Sequence, residues 1–138
     1  MEHAIDDLKK KLKKSGLKEV SSPDGCHFIL FFCPIISRAG TDIDNALKYL
    51  DQVKASRPVI MVVLHFTNDP EKTILDSNNV IKRENLYAVD CLFNDLELLE
   101  CEKNLNAINK IVQDSKSEVG LLITMPFTQI VMVCFHRY

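Results

Sequence analysis

Two continuous apolar runs, separated by an amphipathic segment, most constrain what this chain can fold into. Residues 26–33 (CHFILFFC) and residues 59–66 (VIMVVLHF) are rich in β-branched and aromatic side chains and do not alternate with polar ones. This pattern is typical of strands that are buried on both faces. Between the runs, apolar side chains recur at helical spacing at Ile43, Ala46, Leu47, Leu50 and Val53. The chain therefore predicts a β-α-β unit with parallel strands.

The ends of two helices can also be predicted. Thr41, followed three residues later by Asp44, has the spacing of a capping box for the crossover helix, and Pro58 follows its end. Residues 4–15 predict a second helix with one narrow aliphatic stripe and a lysine-rich surface, ended by Gly16. A basic surface suits an anionic membrane or RNA, but a stripe without an aromatic residue favours packing on the domain.

The remainder of the chain predicts a third strand, a helix and two final strands. Residues 86–93 (LYAVDCLF) form the third strand, although Asp90 in its middle is unexpected if both faces are buried. Residues 94–115 predict a helix, with a separate turn from Leu96 to Cys101 as an alternative for its first part. Residues 119–138 predict two strands with a turn around 125–128. The predicted core stripe of the helix is Leu105, Ile108, Ile111 and Val112.

The polar segment 67–85 has two interpretations. It either contains a short strand or helical turn, around Ile74–Leu75 or Val80–Ile81, or forms a loop over a site. A loop of that length without regular structure is uncommon in a compact domain.

These elements predict a single α/β domain over residues 1–138. We expect a three-layer sandwich of Rossmann or flavodoxin type, with a mostly parallel sheet of about five strands, helices on both faces and an antiparallel edge at the C-terminus. Residues 1–16 form a basic amphipathic helix packed on this domain or appended to it. Such folds bind ligands beyond the carboxyl ends of their strands, which directs attention to the loops after Cys33, Phe66 and Phe93.

Charge and cysteine usage limit the classes of partner and compartment. The net charge is −2, so we expect no nucleic-acid partner. No apolar stretch reaches the roughly 18 residues of a membrane span. The odd number of cysteines, without a C-x-x-C pair or a secretory signal, favours a cytoplasmic protein without a disulfide framework. No metal site and no cofactor are predicted. The five cysteines are Cys26, Cys33, Cys91, Cys101 and Cys134.

The stretch FFCPIISRAGTD, residues 31–42, holds a cysteine at a strand end, then Arg38, then a helix start. This context resembles the C-x-x-x-x-x-R-S/T loop of cysteine-dependent phosphatases. The resemblance implies that Cys33 is a nucleophile and that the loop N–H groups and Arg38 hold a phosphate. The chain departs from the motif: four residues separate Cys33 from Arg38, Ala39 follows the arginine, and Pro34 removes one donor.

A weaker version of this site binds a phosphate or nucleotide without catalysis. Its candidate residues are Ser37, Arg38, Gly40 and Thr41, at a helix N-terminus where backbone N–H groups are free. The alternative is a simple turn in which Gly40 relieves the backbone, Thr41 caps the helix and Arg38 is solvated.

Two further residues are catalytic candidates. His65 ends the second strand and could share a pocket with Cys33 as a Cys–His pair. Asp90 could act as a general base or orient His65. The alternatives are an ordinary strand-end histidine bonded to backbone, and a carboxylate at a sheet edge or facing the loop 67–85, where water solvates it. Whether the protein is an enzyme therefore stays open.

Three functions follow from these features. We favour a non-catalytic protein-interaction or assembly module, because the other two lack a specific motif. Its partner is another protein or a second copy in a homodimer, reached through the C-terminal strand IVMVCF (residues 130–135), which would be an aggregation hazard if uncovered. The alternatives are a phosphate- or nucleotide-type binder at the Ser37–Asp42 loop and a Cys33-dependent, phosphatase-like hydrolase.

Overall fold

The protein is an α/β structure in a computed structural model that describes residues 2–20, 28–53, 58–114, 120–124 and 131–137. Parallel strands alternate with helices in its central part, as the sequence predicts. The described elements are α1 (Glu2–Lys14), β1 (Leu17–Val20), β2 (Phe28–Pro34), α2 (Ala39–Val53), β3 (Val59–Phe66), a 3₁₀ helix (Ser77–Asn79), β4 (Leu86–Phe93), α3 (Glu102–Asp114), β5 (Gly120–Thr124) and β6 (Val131–Arg137). In these ranges, no helix is long and apolar enough to cross a bilayer.

The strands form one sheet in the order β1-β6-β5-β2-β3-β4. β2 is parallel to both β3 and β5, and β4 is parallel to β3. β6 is antiparallel to β5 on one side and to β1 on the other. The sheet therefore has six described strands where the sequence predicted about five, because the four-residue β1 (LKEV) contains no apolar run that would identify it.

The C-terminal strand β6 is antiparallel to its neighbours, as predicted, but it is the second strand of the sheet and not its edge. β1 pairs with residues 134–137 of β6, and β5 pairs along its other side. The edges of the sheet are β1 and β4. The strand that the sequence offered for self-association is thus largely paired within its own chain.

Side chains of the central strands divide between two apolar clusters. Phe31 and Phe32 are neighbours in β2, yet Phe31 packs with α2 and Phe32 packs with α1 and α3. Both are almost completely buried. Since successive side chains of a strand point to opposite faces, both faces of β2 and β3 are covered. This explains why their sequences show a continuous apolar run instead of alternation.

The N-terminal helix contributes to the core. Its apolar stripe is buried in the same cluster as α3. Gly16 follows the helix with a φ of +95° and donates its N–H to the Lys13 carbonyl at 3.1 Å, the conformation for which glycine is favoured at a helix end. The buried residues of α1 are Ala4, Ile5, Leu8 and Leu12.

The core stripe predicted for the last helix is wrong at one position. Leu105 is 57% exposed, whereas the neighbouring Asn104 is only 2% exposed. The Asn104 amide accepts a hydrogen bond from the Leu92 N–H at 2.7 Å and donates to the Leu92 carbonyl at 2.8 Å. It therefore satisfies the outward backbone groups of the edge strand β4. A pattern of apolar residues cannot reveal a polar side chain that is buried for this reason.

Candidate functional site

The carboxyl ends of β2, β3 and β4 meet at one edge of the sheet, where the sequence-predicted candidates lie. Cys33 is opposite Val63, and Val63 is opposite Asp90. His65 lies two residues beyond Val63 in β3 and so points to the same face of the sheet. The register therefore places Cys33, His65 and Asp90 on the face that α2 covers, near one another.

Cys33 has the environment of a structural thiol. It is 2% exposed, and its Sγ lies 3.7 Å from the backbone carbonyl of Asp42. Burial, assisted by the negative charge of Asp42, raises the pKa of Cys33 to about 12. No described residue pairs with this thiol as a base, and His65 makes no hydrogen bond to it. The thiolate that a nucleophilic cysteine requires is therefore disfavoured.

The loop before α2 is closed by its own carboxylate. Asp42 Oδ2 accepts the backbone N–H groups of Ile36 at 2.7 Å and Ser37 at 2.9 Å, and Asp42 Oδ1 accepts the Ser37 hydroxyl at 3.1 Å. A phosphate would need the same donors. Arg38 is exposed beside them. The carboxylate thus occupies the position that the sequence assigned to an external anion.

The N-terminus of α2 also differs from the prediction. The helix begins at Ala39, two residues before Thr41. Gly40 and Thr41 are therefore inside the first turn and exposed, and Thr41 is not the cap. Asp42 in the first turn stabilises the positive end of the helix dipole while it holds the preceding loop.

His65 and Asp90, in contrast, are brought together. His65 Nε2 lies 2.8 Å from Asp90 Oδ1. Ser77 donates its hydroxyl to Asp90 Oδ1 at 2.5 Å and its backbone N–H to Asp90 Oδ2 at 3.0 Å. Only about a tenth of each side chain of the His65–Asp90 pair is exposed. The carboxylate thus lies in an edge strand and faces the segment 67–85, as one alternative expected, but it is paired and buried instead of solvated.

The hydrogen bonds at Asp90 determine which ring nitrogen of His65 carries a proton. Burial by itself raises the pKa of Asp90, but the hydrogen bonds from His65 and Ser77 favour the charged carboxylate and bring the pKa below its ordinary value. A carboxylate only accepts hydrogen bonds, so His65 Nε2 must carry the proton. In the neutral imidazole, Nδ1 is then a hydrogen-bond acceptor. No described residue pairs with this nitrogen.

A cavity of about 380 Å³ lies against His65. The first turn of α2 and the segment from residue 72 to residue 80 form its other walls. Its apolar lining includes Ile43, Ile74, Leu75 and Val80. A larger cavity, of about 610 Å³, lies between residues 70–74 and the start of α3, but most of its polar lining is solvent-exposed. The smaller cavity is the better candidate because a buried polar group forms part of its wall.

The segment 67–85 covers this site with a short helix whose position the sequence did not predict. A 3₁₀ helix over Ser77–Asn79 lies between the two positions predicted for a short element. Asp76 caps it by accepting the Asn78 N–H at 2.9 Å, and the Asn78 amide pairs with the backbone of Ala88 at 2.7 and 2.9 Å. These bonds hold Ser77 over Asp90. Nothing in the sequence indicated Ser77, whereas the unusual position of Asp90 was the available signal.

Comparison with known proteins adds no identification: no protein-family model, no curated protein and no solved structure matches the chain. Within the described residues, no three histidine, cysteine or acidic side chains are grouped as in a metal site. The class that the geometry defines is an α/β protein with a partly apolar cavity at the carboxyl edge of parallel strands.

Proposed function

We propose that this protein is a non-catalytic protein-interaction module that binds its partner at the carboxyl edge of the sheet. The observation that carries the proposal is the rim of the His65 cavity, where Leu75 is 85% exposed and Val80 is 59% exposed. Exposed apolar side chains around a concave site are typical of protein interfaces. A small molecule inside the cavity would leave Leu75 in water, whereas the surface of a protein partner would cover it.

The two alternative functions have less support at their own residues. A Cys33-dependent hydrolase needs a thiolate, and burial disfavours that form of Cys33. An anion binder at the Ser37–Asp42 loop needs N–H groups that Asp42 already occupies. Binding at the rim requires neither a reactive group nor a rearrangement of this loop.

The proposal includes the finer features that the sequence predicted. The two apolar clusters, one with α2 and one with α1 and α3, support a three-layer, Rossmann- or flavodoxin-like sandwich. Free thiols at Cys33, Cys91 and Cys101 support a reducing, cytoplasmic location. Self-association through the same rim would make the partner a second copy of the chain.

The test is a selection of linear peptides from a displayed random library on the full chain. Peptides that bind the wild type are then measured against the double variant Leu75→Ser/Val80→Ser by calorimetry. Loss of two apolar anchors is expected to weaken binding by about tenfold or more. Peptides that bind this variant as tightly as the wild type would contradict the proposal.

The matched control is Leu96→Ser. Leu96 is 80% exposed but does not line the cavity. Its substitution is expected to leave both peptide affinity and thermal midpoint unchanged. Sedimentation of the wild type and the double variant tests the homodimer: a dimer that dissociates only in the double variant identifies the partner as a second copy.

A further inference from the structure

We propose that the cavity recognises the hydroxyl group of a tyrosine side chain supplied by the protein partner, and that Nδ1 of His65 accepts its hydrogen bond. This inference rests on the proposed function, since it names the residue with which the partner enters the site. It assigns His65 a recognition role, with Asp90 and Ser77 as positioning residues.

The direction of the hydrogen bond follows from the groups around Asp90. The Asp90 carboxylate accepts three hydrogen bonds. Oδ1 accepts those of the Ser77 hydroxyl and His65 Nε2, and Oδ2 accepts that of the Ser77 backbone N–H. Each of these contacts requires a donor that faces the carboxylate. The carboxylate thereby holds the ring in one orientation, and in the neutral imidazole the proton is on Nε2 and the lone pair of Nδ1 is directed away from Asp90.

The need for a partner follows from burial. His65 is 9% exposed, and no described residue donates to Nδ1. A buried acceptor is stable only when it is hydrogen-bonded, either to water in the cavity or to a ligand. A donor on the ligand that replaces such a water preserves the hydrogen bond while the ligand covers the apolar walls.

The lining of the cavity favours a tyrosine as the group that brings this donor. Four aliphatic side chains, two of them at the rim, line the cavity together with His65, and aliphatic surface suits the faces of an aromatic ring. The hydroxyl of tyrosine is at the far end of its ring, so a ring that enters from the rim presents the O–H toward the base. Tyrosine is also enriched among the residues that dominate protein interfaces. The four side chains are Ile43, Ile74, Leu75 and Val80.

The first experiment uses side-chain analogues with the full chain labelled with ¹⁵N-histidine. The probes are p-cresol for tyrosine, toluene for phenylalanine, and 4-methylanisole, which keeps the oxygen but lacks the donor. We expect p-cresol to bind about fivefold or more tightly than the other two, the effect of one net hydrogen bond. The Nδ1 resonance of His65 should shift on binding while Nε2 stays protonated.

The variant His65→Phe removes the proposed acceptor nitrogen from the protein, as toluene removes the donor from the probe. It should bind p-cresol and toluene equally. If the variant fails to fold because Asp90 loses a donor, the nitrogen resonances of the wild type still decide the question. Equal binding of all three probes to the wild type, or a proton on Nδ1 in the free protein, would overturn the inference.

A second comparison separates this inference from the proposed function. Rim-dependent peptides whose affinity is unchanged when each tyrosine is replaced by phenylalanine would overturn the inference and leave the interaction module standing. The opposite result is that p-cresol binds more tightly than toluene but no peptide depends on Leu75 and Val80 for binding. It would support the acceptor role of His65 and contradict the proposed function.

Discussion

Two aspartates organise the carboxyl edge of the sheet, and they do so with opposite results. Asp42 satisfies the two loop N–H groups and the Ser37 hydroxyl, and its carbonyl lies at the Cys33 thiol. Asp90 is equally occupied by Ser77 and His65, but no residue that the structure describes pairs with the other nitrogen of His65, beside a cavity. We call the Asp42 region closed, because its polar groups pair with one another, and the His65 region open, because a ligand can reach one of its polar atoms. The availability of polar atoms, more than the types of residue present, therefore distinguishes the two regions.

The largest effect is expected from Asp90→Ala. The substitution leaves the Ser77 hydroxyl, the Ser77 N–H and His65 Nε2 without their acceptor in a buried position. We expect the free energy of unfolding to fall by about 3–5 kcal/mol, because each of these three buried donors costs about 1–3 kcal/mol when it is left without an acceptor. Urea denaturation measures it. Asp44→Ala is the control, because Asp44 is exposed in an ion pair with Lys48 and its loss should cost under about 0.5 kcal/mol.

The acid dependence of stability is the second prediction. The folded-state pKa of Asp90 lies below its ordinary value, so its contribution is present above about pH 4 and is lost as the pH falls through the folded-state pKa. The wild type should lose stability on acidification more steeply than Asp90→Asn, which cannot ionise at this position. Urea denaturation between about pH 6 and pH 2 compares them, and parallel curves would exclude Asp90 as the source.

Substitution of Asp42 tests whether the loop N–H groups of the closed region can bind an external anion once the carboxylate is removed. In Asp42→Ala, the N–H groups of Ile36 and Ser37 lose their acceptor, and we expect a loss of about 1–2 kcal/mol. Phosphate should then raise the thermal midpoint of the variant and leave that of the wild type unchanged. A phosphate response in the wild type would instead show that an anion displaces Asp42 from the loop.

The smallest effect is expected at Arg38. Its side chain is exposed and no described residue forms an ion pair with it, so Arg38→Ala should change the free energy of unfolding by less than about 0.5 kcal/mol. The same substitution in the Asp42→Ala background should abolish any phosphate response, if Arg38 is the cation that the opened loop uses. A retained response would assign binding to the backbone N–H groups alone.

The parts of the fold that could be predicted are those in which burial repeats along the chain. The runs 26–33 and 59–66 correspond to β2 and β3, and the stripe of α1 with Gly16 corresponds to a buried helix and its end. In these segments the period of the apolar residues reflects how many faces are covered. Positions 26 and 27 of the first run lie outside the described residues, as does the turn expected around 125–128.

The failed predictions involve contacts between segments that are distant in sequence. β1 has no apolar run and exists through its pairing with β6, more than 110 residues away. Asn104 is buried because it pairs with the edge of β4, and Ser77 matters because it reaches Asp90. A local pattern does not contain the position of a partner that another element supplies.

The sequence by itself determined the helices and strands that bury a continuous apolar surface, and it marked Asp90 as unusual. It also supplied the residues of the Cys33–Asp42 loop and, for the second site, His65 and Asp90 without Ser77. Only the tertiary structure decided that Asp42 fills the first and that, among the described residues, none pairs with Nδ1 of His65 in the second. The physical reason is that burial of apolar surface follows the period of the chain, whereas a hydrogen bond depends on the register and packing that bring two polar atoms together.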